Sequence, residues 1–193
     1  MRGTLTLVTA PATEPLTVAQ VADHLRLDQG NEDDYLESLI SAARELVESE
    51  TNRALITQTW EISWDGWPTF PIELPKSPLV SVTSVKYLDD AGTETTWAST
   101  NYRVKAFAGP RPLPGRVSLA YGITLPTNQS VSDSIVIRYV AGYGAASAVP
   151  KAIKAAMLLV IGEMYARRED GTQTKIEHVP LGAHRLLTNF RVA

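Results

Sequence analysis

The chain contains no cysteine. Disulfides and thiolate metal ligands are therefore excluded, and a reducing compartment such as the cytoplasm is the expected setting. Histidine is scarce, with His24, His178 and His184 the only copies. Neither an H-E-x-x-H pair nor a carboxylate cluster at ligand spacing accompanies them. Glu177-His178 has no nucleophile elbow of the G-x-S-x-G type to serve. Gly142-x-Gly144 is followed by Ser147 where a dinucleotide fingerprint wants its third glycine. No apolar run follows Met1-Arg2, so a signal peptide is not expected. The longest apolar run, Ala155 to Gly162 (AAMLLVIG), falls far short of the about 20 residues that span a bilayer. Positive charge is not in excess either. The net charge is −3, the pI is about 5.6, and no basic stripe interleaves with aromatics, which argues against a dedicated nucleic-acid binder. No cofactor, metal or catalytic residue is expected, and packing and assembly are left to carry the function.

What is present is patterning. A length of 193 residues suits one domain, or one domain with an insertion. Residues 1–56 hold 10 acidic and 4 basic side chains, residues 57–148 hold 7 of each, and residues 149–193 hold 4 acidic and 7 basic. Such a gradient suits head-to-tail contact between copies. It also follows from acidic helix starts and basic helix ends. Thr17 and Gln20 form a capping box, with Leu16 and Val21 as a hydrophobic staple, so a first helix carries Val18, Val21, Ala22 and Leu25. Asn31 is placed to cap a second helix running from about Glu32 to Thr51. Glu32, Asp33 and Asp34 sit in its first turn, where the macrodipole favours anions; adjacent helical positions diverge too far to share a metal ion. Leu36, Leu39, Ile40, Ala43, Leu46 and Val47 recur at helical spacing. Arg44 and Glu48 are expected as a solvated pair worth a few tenths of a kcal/mol.

At Ile56 the period changes from 3.6 to 2, with Ile56, Gln58, Trp60, Ile62 and Trp64 on one side of a strand. Further strands are expected at Val80–Leu88, bulged near Ser84, and at 102–107, 116–121 and 134–141. Ile135-Val136-Ile137 is apolar on both faces and so central. Pro68, Pro71, Pro75 and Pro78 mark a loop, as does the stretch from Gly109 to Gly115. Trp60 and Trp64 read as core, while Trp67 is the expected surface aromatic. The four tryptophans, Trp60, Trp64, Trp67 and Trp97, offer an alternative reading, a monomeric β-rich ligand- or carbohydrate-binding module. Helix returns after Pro150 and runs to about Arg168. It is apolar nearly all round, which requires burial on several sides, either as a central core helix or as a helix shared with a neighbouring subunit. In the second case Met157, Val160, Ile161, Met164, Arg167 and Arg168 are candidates for a subunit interface. Residues 172–179 are polar and expected to be mobile, and Pro180 opens a last short helix.

In order, LTVAQVADHLRLD, SAARELVESETNRALITQTW, PLVSVTSVKYLDDAG, RYVAGYG, VPKAIKAAMLLVIGEMYARRE and VPLGAHRLLTNFRV resemble the head–tail connector, or adaptor, family of tailed bacteriophages and gene transfer agents. The resemblance covers nearly the full length and rests on order and spacing. It implies an α+β fold in which a helical bundle, residues 1–55 and 142–193, carries an inserted antiparallel β region, residues 56–141, between its second and third long helices. It further implies a structural virion protein at the head–tail junction, assembled from the host cytoplasm as a ring of about 12 copies with a closing rotation. Its partners would be the portal protein, a tail-side stopper or head-completion protein, and double-stranded DNA passing without specific binding. By the same resemblance, residues 181–192 would be the portal-docking arm, with Leu181, Leu186, Leu187, Phe190 and Arg191 as its contacts.

Overall fold

The computed structural model describes residues 3–28, 30, 32–109, 111–167 and 180–192. The chain is α+β and forms two compact units. One comprises Met1–Pro11 and Thr57–Gly142, the other Ala12–Ile56 and Tyr143–Ala193.

The second of these is helical. Helix α1 (Val18–Leu25) starts on the expected capping box. The Gln20 backbone N–H donates to Thr17 Oγ1 at 3.2 Å, and the Thr17 N–H donates to Gln20 Oε1 at 3.1 Å. Helix α2 (Asp33–Thr51) has Glu32 as N-cap, its carboxylate accepting from the Tyr165 hydroxyl at 2.6 Å rather than capping the helix; Asn31, the expected cap, lies outside the described residues. Asp33 instead accepts the Gly30 N–H at 3.2 Å, so the acidic turn closes on itself. Asn52 ends α2 at φ 52°, a left-handed conformation that asparagine tolerates better than most residues.

Helix α3 (Lys151–Ala166) packs against α1, α2 and helix α4 (Leu181–Leu187). Ile40, Ala43 and Val47 of α2 share one buried cluster with Ile153, Met157, Val160 and Ile161 of α3, closed by Ala183, Leu187 and Phe190. Each large apolar side chain fully buried there contributes about 1.5–3 kcal/mol. The all-round apolar character of α3 is thus satisfied within its own unit. The helix ends at Ala166, and the expected polar stretch 172–179 lies outside the described residues.

In the other unit, strands β1 (Thr4–Thr9), β2 (Gln58–Trp64), β3 (Ile72–Leu74), β4 (Leu79–Leu88), β5 (Glu94–Thr96), β6 (Tyr102–Lys105), β7 (Gly115–Leu119) and β8 (Ile135–Ala141) form two antiparallel sheets. The larger has the order β1-β2-β8-β4-β5 and the smaller β3-β7-β6. The order of elements departs from the expected one at its start. The expectation places residues 1–55 in the helical bundle and no strand before the first helix, yet β1 precedes α1 and pairs with β2, Thr4 opposite Ser63 and Leu7 opposite Trp60. The signal was present in the alternation of TLTLVT, which a short strand shows as clearly as a long one.

Strand β8 is central, flanked by β2 and β4, as its two-sided apolar character requires. Ile135, Ile137, Tyr139 and Ala141 are fully buried on one face. The ladder of β4 shifts register between Val82 and Ser84, where the bulge was expected, and again between Leu79 and Ser81. The β4–β5 turn is held by Asp89, whose Oδ1 accepts from Ala91 N at 3.0 Å and Thr93 N at 2.8 Å. The proline-marked loop still admits β3, because Ile72, Glu73 and Leu74 lie between its prolines and face β7.

Gly115 opens β7 where the smaller sheet meets β4. A Cβ built there would lie 2.2 Å from Leu79 Cδ2 and 2.4 Å from its Cβ. No side chain fits without moving Leu79, itself buried. Gly115→Ala should therefore cost about 1–3 kcal/mol in urea unfolding. A loss below about 0.5 kcal/mol would show that the contact is absent in solution.

Candidate functional site

The helical unit holds a charged network that the sequence pattern did not reveal. Arg44 and Glu48, expected on the solvated side of α2, are 8% and 6% exposed. Arg44 Nε donates to Glu14 Oε2 at 2.9 Å and Nη1 to Glu48 Oε2 at 3.2 Å. The other Glu48 oxygen accepts the Leu55 N–H at 2.7 Å, and Glu14 Oε1 accepts from Ser41 Oγ at 2.9 Å. Burial alone would lower the Arg44 pKa, but Glu14, Glu48 and Glu45 together hold it above the ordinary value. The expected surface pair is corrected to a buried network, for the physical reason that the chain before α1 and the chain after α2 both fold over it.

Arg53 is a second buried cation, 2% exposed. Its Nε donates to the Phe190 carbonyl at 2.6 Å, and its guanidinium lies 6.0 Å from the Tyr143 ring centre. Burial pushes its pKa down, with Tyr143 opposing the shift. Burial likewise pushes the Tyr143 hydroxyl up, with Arg53 opposing. Nearby, the Val192 N–H donates to the Thr51 carbonyl at 3.1 Å and Arg191 pairs with Glu50. The C-terminal segment is thus fastened to the end of α2.

That placement bears on the expected docking residues. Leu187 is 1% and Phe190 7% exposed, both in the unit's own core, and Leu186 packs half-buried against it. Leu181 is 60% exposed, and Arg191 is exposed but paired. Residues 181–192 are therefore not a free arm here; only the outer face of α4 is presented. Of the interface candidates, Met157, Val160 and Ile161 are at most 1% exposed, and Met164 is half-buried against the same core. Those first three cannot meet another chain while α1, α2 and α4 cover them. Arg167 is exposed and pairs with Glu163 at 2.8 Å, and Arg168 lies outside the described residues. What α3 does expose is Ala155 and Leu159.

A shallow cleft of about 360 Å³ lies between the start of α1 and α2, with Leu16, Val18 and Ile40 as its floor and Glu14 and Glu37 among its lining. His24 is exposed and His184 half-buried, while His178 lies outside the described residues. Among the described residues no three acidic or histidine side chains are grouped to hold a metal ion.

In the sheet unit, Trp67 is corrected from a surface aromatic to a packed one. Its ring lies 4.9 Å from Trp97, 5.8 Å from Tyr87 and 6.3 Å from Phe70, centre to centre. Its Nε1–H donates to the Pro126 carbonyl at 2.9 Å. Trp64 is buried as expected, and Trp60 is half-buried with Lys76 Nζ 5.4 Å from its ring centre. Exposed apolar side chains lie elsewhere, on β1 (Leu7, Val8), on β4 (Val80), on β6 (Val104) and on loops (Leu113, Tyr121, Val131).

The surfaces can be set beside known proteins. Residues 15–105 match the family described as phage gp6-like head–tail connector protein. Among solved structures, a chain in the virion of a native gene transfer agent (GTA) particle is similar, with 30% identity, a TM-score of 0.78, and 98% of this chain and 95% of that one covered. Chains from the neck of an empty GTA particle computed with C6 symmetry and of a native particle computed with C12 symmetry are 29% identical. Their TM-scores are 0.78 and 0.75, each covering 98% of this chain and 96% of that one. No curated protein matches the sequence.

The buried network makes a direct prediction. Arg44→Met strands two carboxylates and should cost about 3–5 kcal/mol of unfolding free energy. Arg53→Met removes the buried hydrogen bond to the Phe190 carbonyl and the interaction with Tyr143, and should cost about 1–3 kcal/mol. An Arg44 variant of unchanged stability in urea would contradict the network.

Proposed function

The chain belongs to the phage gp6-like head–tail connector family, and on that premise we propose that it works as a ring subunit at the head–tail junction of a virion or gene-transfer particle. The observation that carries this is coverage. The likeness to neck chains computed with C6 and C12 symmetry extends over 98% of the chain, both units included. A ring of about 12 copies beneath the portal would extend the channel through which DNA leaves. The partners proposed are the portal on one side, a tail-side stopper or head-completion protein on the other, and double-stranded DNA in transit. A channel must not grip its cargo, because every phosphate contact adds affinity. The net charge of −3 suits that requirement.

In this reading the protein is structural and not an enzyme, assembled in the host cytoplasm and ending in the particle. Residues 1–55 and 142–193, less the strand β1, supply the connector core, and residues 56–141 with β1 supply the sheet region. The exposed face of α4 is assigned to the portal, anchored by Leu181 at the start of the helix; half-buried Leu186 and exposed Arg191 flank the segment, and Leu187 and Phe190 support it from beneath. The binding-module alternative loses its main support now that Trp67 is packed among Phe70, Tyr87 and Trp97.

The assignment separates docking from folding. Leu181→Asp should lower binding to the co-encoded portal ring at least about tenfold while shifting Tm by less than about 2 °C. Phe190→Asp, which places a charge in the core, should instead lower Tm by roughly 10 °C. Undiminished portal binding by Leu181→Asp would remove α4 from the portal interface.

A further inference from the structure

A cyclic ring of more than two copies needs two different surfaces on every subunit, each fitting the other. The five-stranded sheet carries two such surfaces at its opposite ends. At one end β1 is bonded only to β2, and its outer edge reads TLTLVT, with Leu7 44% and Val8 41% exposed. At the other end β4 is bonded along its length to β8, but to β5 only from Lys86 onward. Leu79–Ser84 (LVSVTS) is therefore a second one-sided stretch, with Val80 54% exposed. Cover on that side begins where the Trp97 N–H donates to the Val85 carbonyl at 2.8 Å. Among the described residues no other strand pairs with either stretch.

Both stretches are six residues long, about 20 Å of edge at the usual strand rise. Neither contains a charge or a proline. Exposed edges ordinarily carry one or the other, because unguarded edges template pairing with another chain. This protein follows that rule elsewhere. On the smaller sheet, edge strand β6 exposes Arg103 and Lys105, and edge strand β3 exposes Glu73. Even β5 carries Glu94, paired with Lys86 at 2.6 Å. Charge has been kept off the two free stretches of one sheet only. Register shifts between Leu7 and Thr9 and at two points of β4 twist these edges, a device that itself blunts an edge and restricts pairing to a partner of matching twist.

We propose that β1 of one copy pairs with Leu79–Ser84 of β4 in the next, so that the five-stranded sheet continues from subunit to subunit around the ring. Main-chain hydrogen bonds would supply the affinity, and the exposed Leu7, Val8 and Val80 the register. This rests on the ring reading above and names the contact that closes it.

The absence of cysteine makes the test clean. Full-length protein would carry one cysteine at Leu7 or Val8, one at Val80 or Thr83, or one at each edge, and would be oxidised at concentrations where the wild type assembles, alone or on the portal ring. A ladder of disulfide-linked multimers from chains with both cysteines, and none from either single, is the expected result. Dimers from the Leu7→Cys or Val8→Cys chain alone would mean β1–β1 pairing and would overturn the proposal. In parallel, Leu7→Lys and Val80→Lys should each abolish assembly by light scattering, with Tm shifted by less than about 2 °C. Rings that form normally in both lysine variants and yield no ladder from any pair would overturn the edge contact and leave the ring intact. A wild type that stays monomeric with and without the portal would overturn the ring reading, and this contact with it.

Discussion

The carboxylate of Glu48 is where three stretches of the helical unit meet. One oxygen holds Arg44, which reaches back to Glu14 ahead of α1, and the other caps the Leu55 N–H beyond α2. Without that junction, α2 would still bury Ile40, Ala43 and Val47 against α3, but the chain before α1 and the chain after α2 would lose the bonds that hold them to it. With it, the entry to α1, the body of α2 and the exit towards the sheet unit have one geometry. Buried charges of this kind add little net stability compared with an apolar core, because desolvation offsets most of the attraction. Their effect lies in penalising every arrangement that leaves a charge unpaired. Arg53 does the same one turn later, tying the Phe190 carbonyl to the end of α2.

That constraint explains how the sequence divides its labour. The helical unit spends its acidic N-terminal and basic C-terminal charge partly on itself, in Arg44 with Glu14 and Glu48 and in Arg191 with Glu50. The charge gradient is therefore a weaker guide to contacts between copies than its size suggests. α3 buries Met157, Val160 and Ile161 at home and offers other chains little apolar surface. The sheet unit is the opposite case. Besides Leu113, Tyr121 and Val131 on loops, its exposed apolar side chains lie on strand stretches whose backbone is bonded on one side only, and the proposed pairing there needs no special chemistry.

Much of this was legible in the residues. The capping box, the periodicity of α2, the central place of β8 and the bulge in β4 follow from local rules that tertiary context did not override. The strand at Thr4–Thr9 was missed because six residues of alternation weigh little before a partner strand is known. Burial of Arg44 and Glu48 was missed because helical periodicity assigns faces by polarity, and a charged pair covered from outside by Glu14 and Leu55 breaks that assumption. Trp67 was misplaced for a related reason: its partners Tyr87 and Trp97 are distant in sequence, and neighbouring prolines suggested only a loop. The outer face of α4 was half legible, since the apolar positions could be read but not which of them the unit keeps for itself.

The central claim is that this chain closes into a ring of about 12 copies. Native mass spectrometry of the full-length protein, alone and with its co-encoded portal, tests it most directly. A species of about a dozen subunits, free or recruited on the portal, is the predicted result. A monomer that ignores the portal at every concentration would contradict the account.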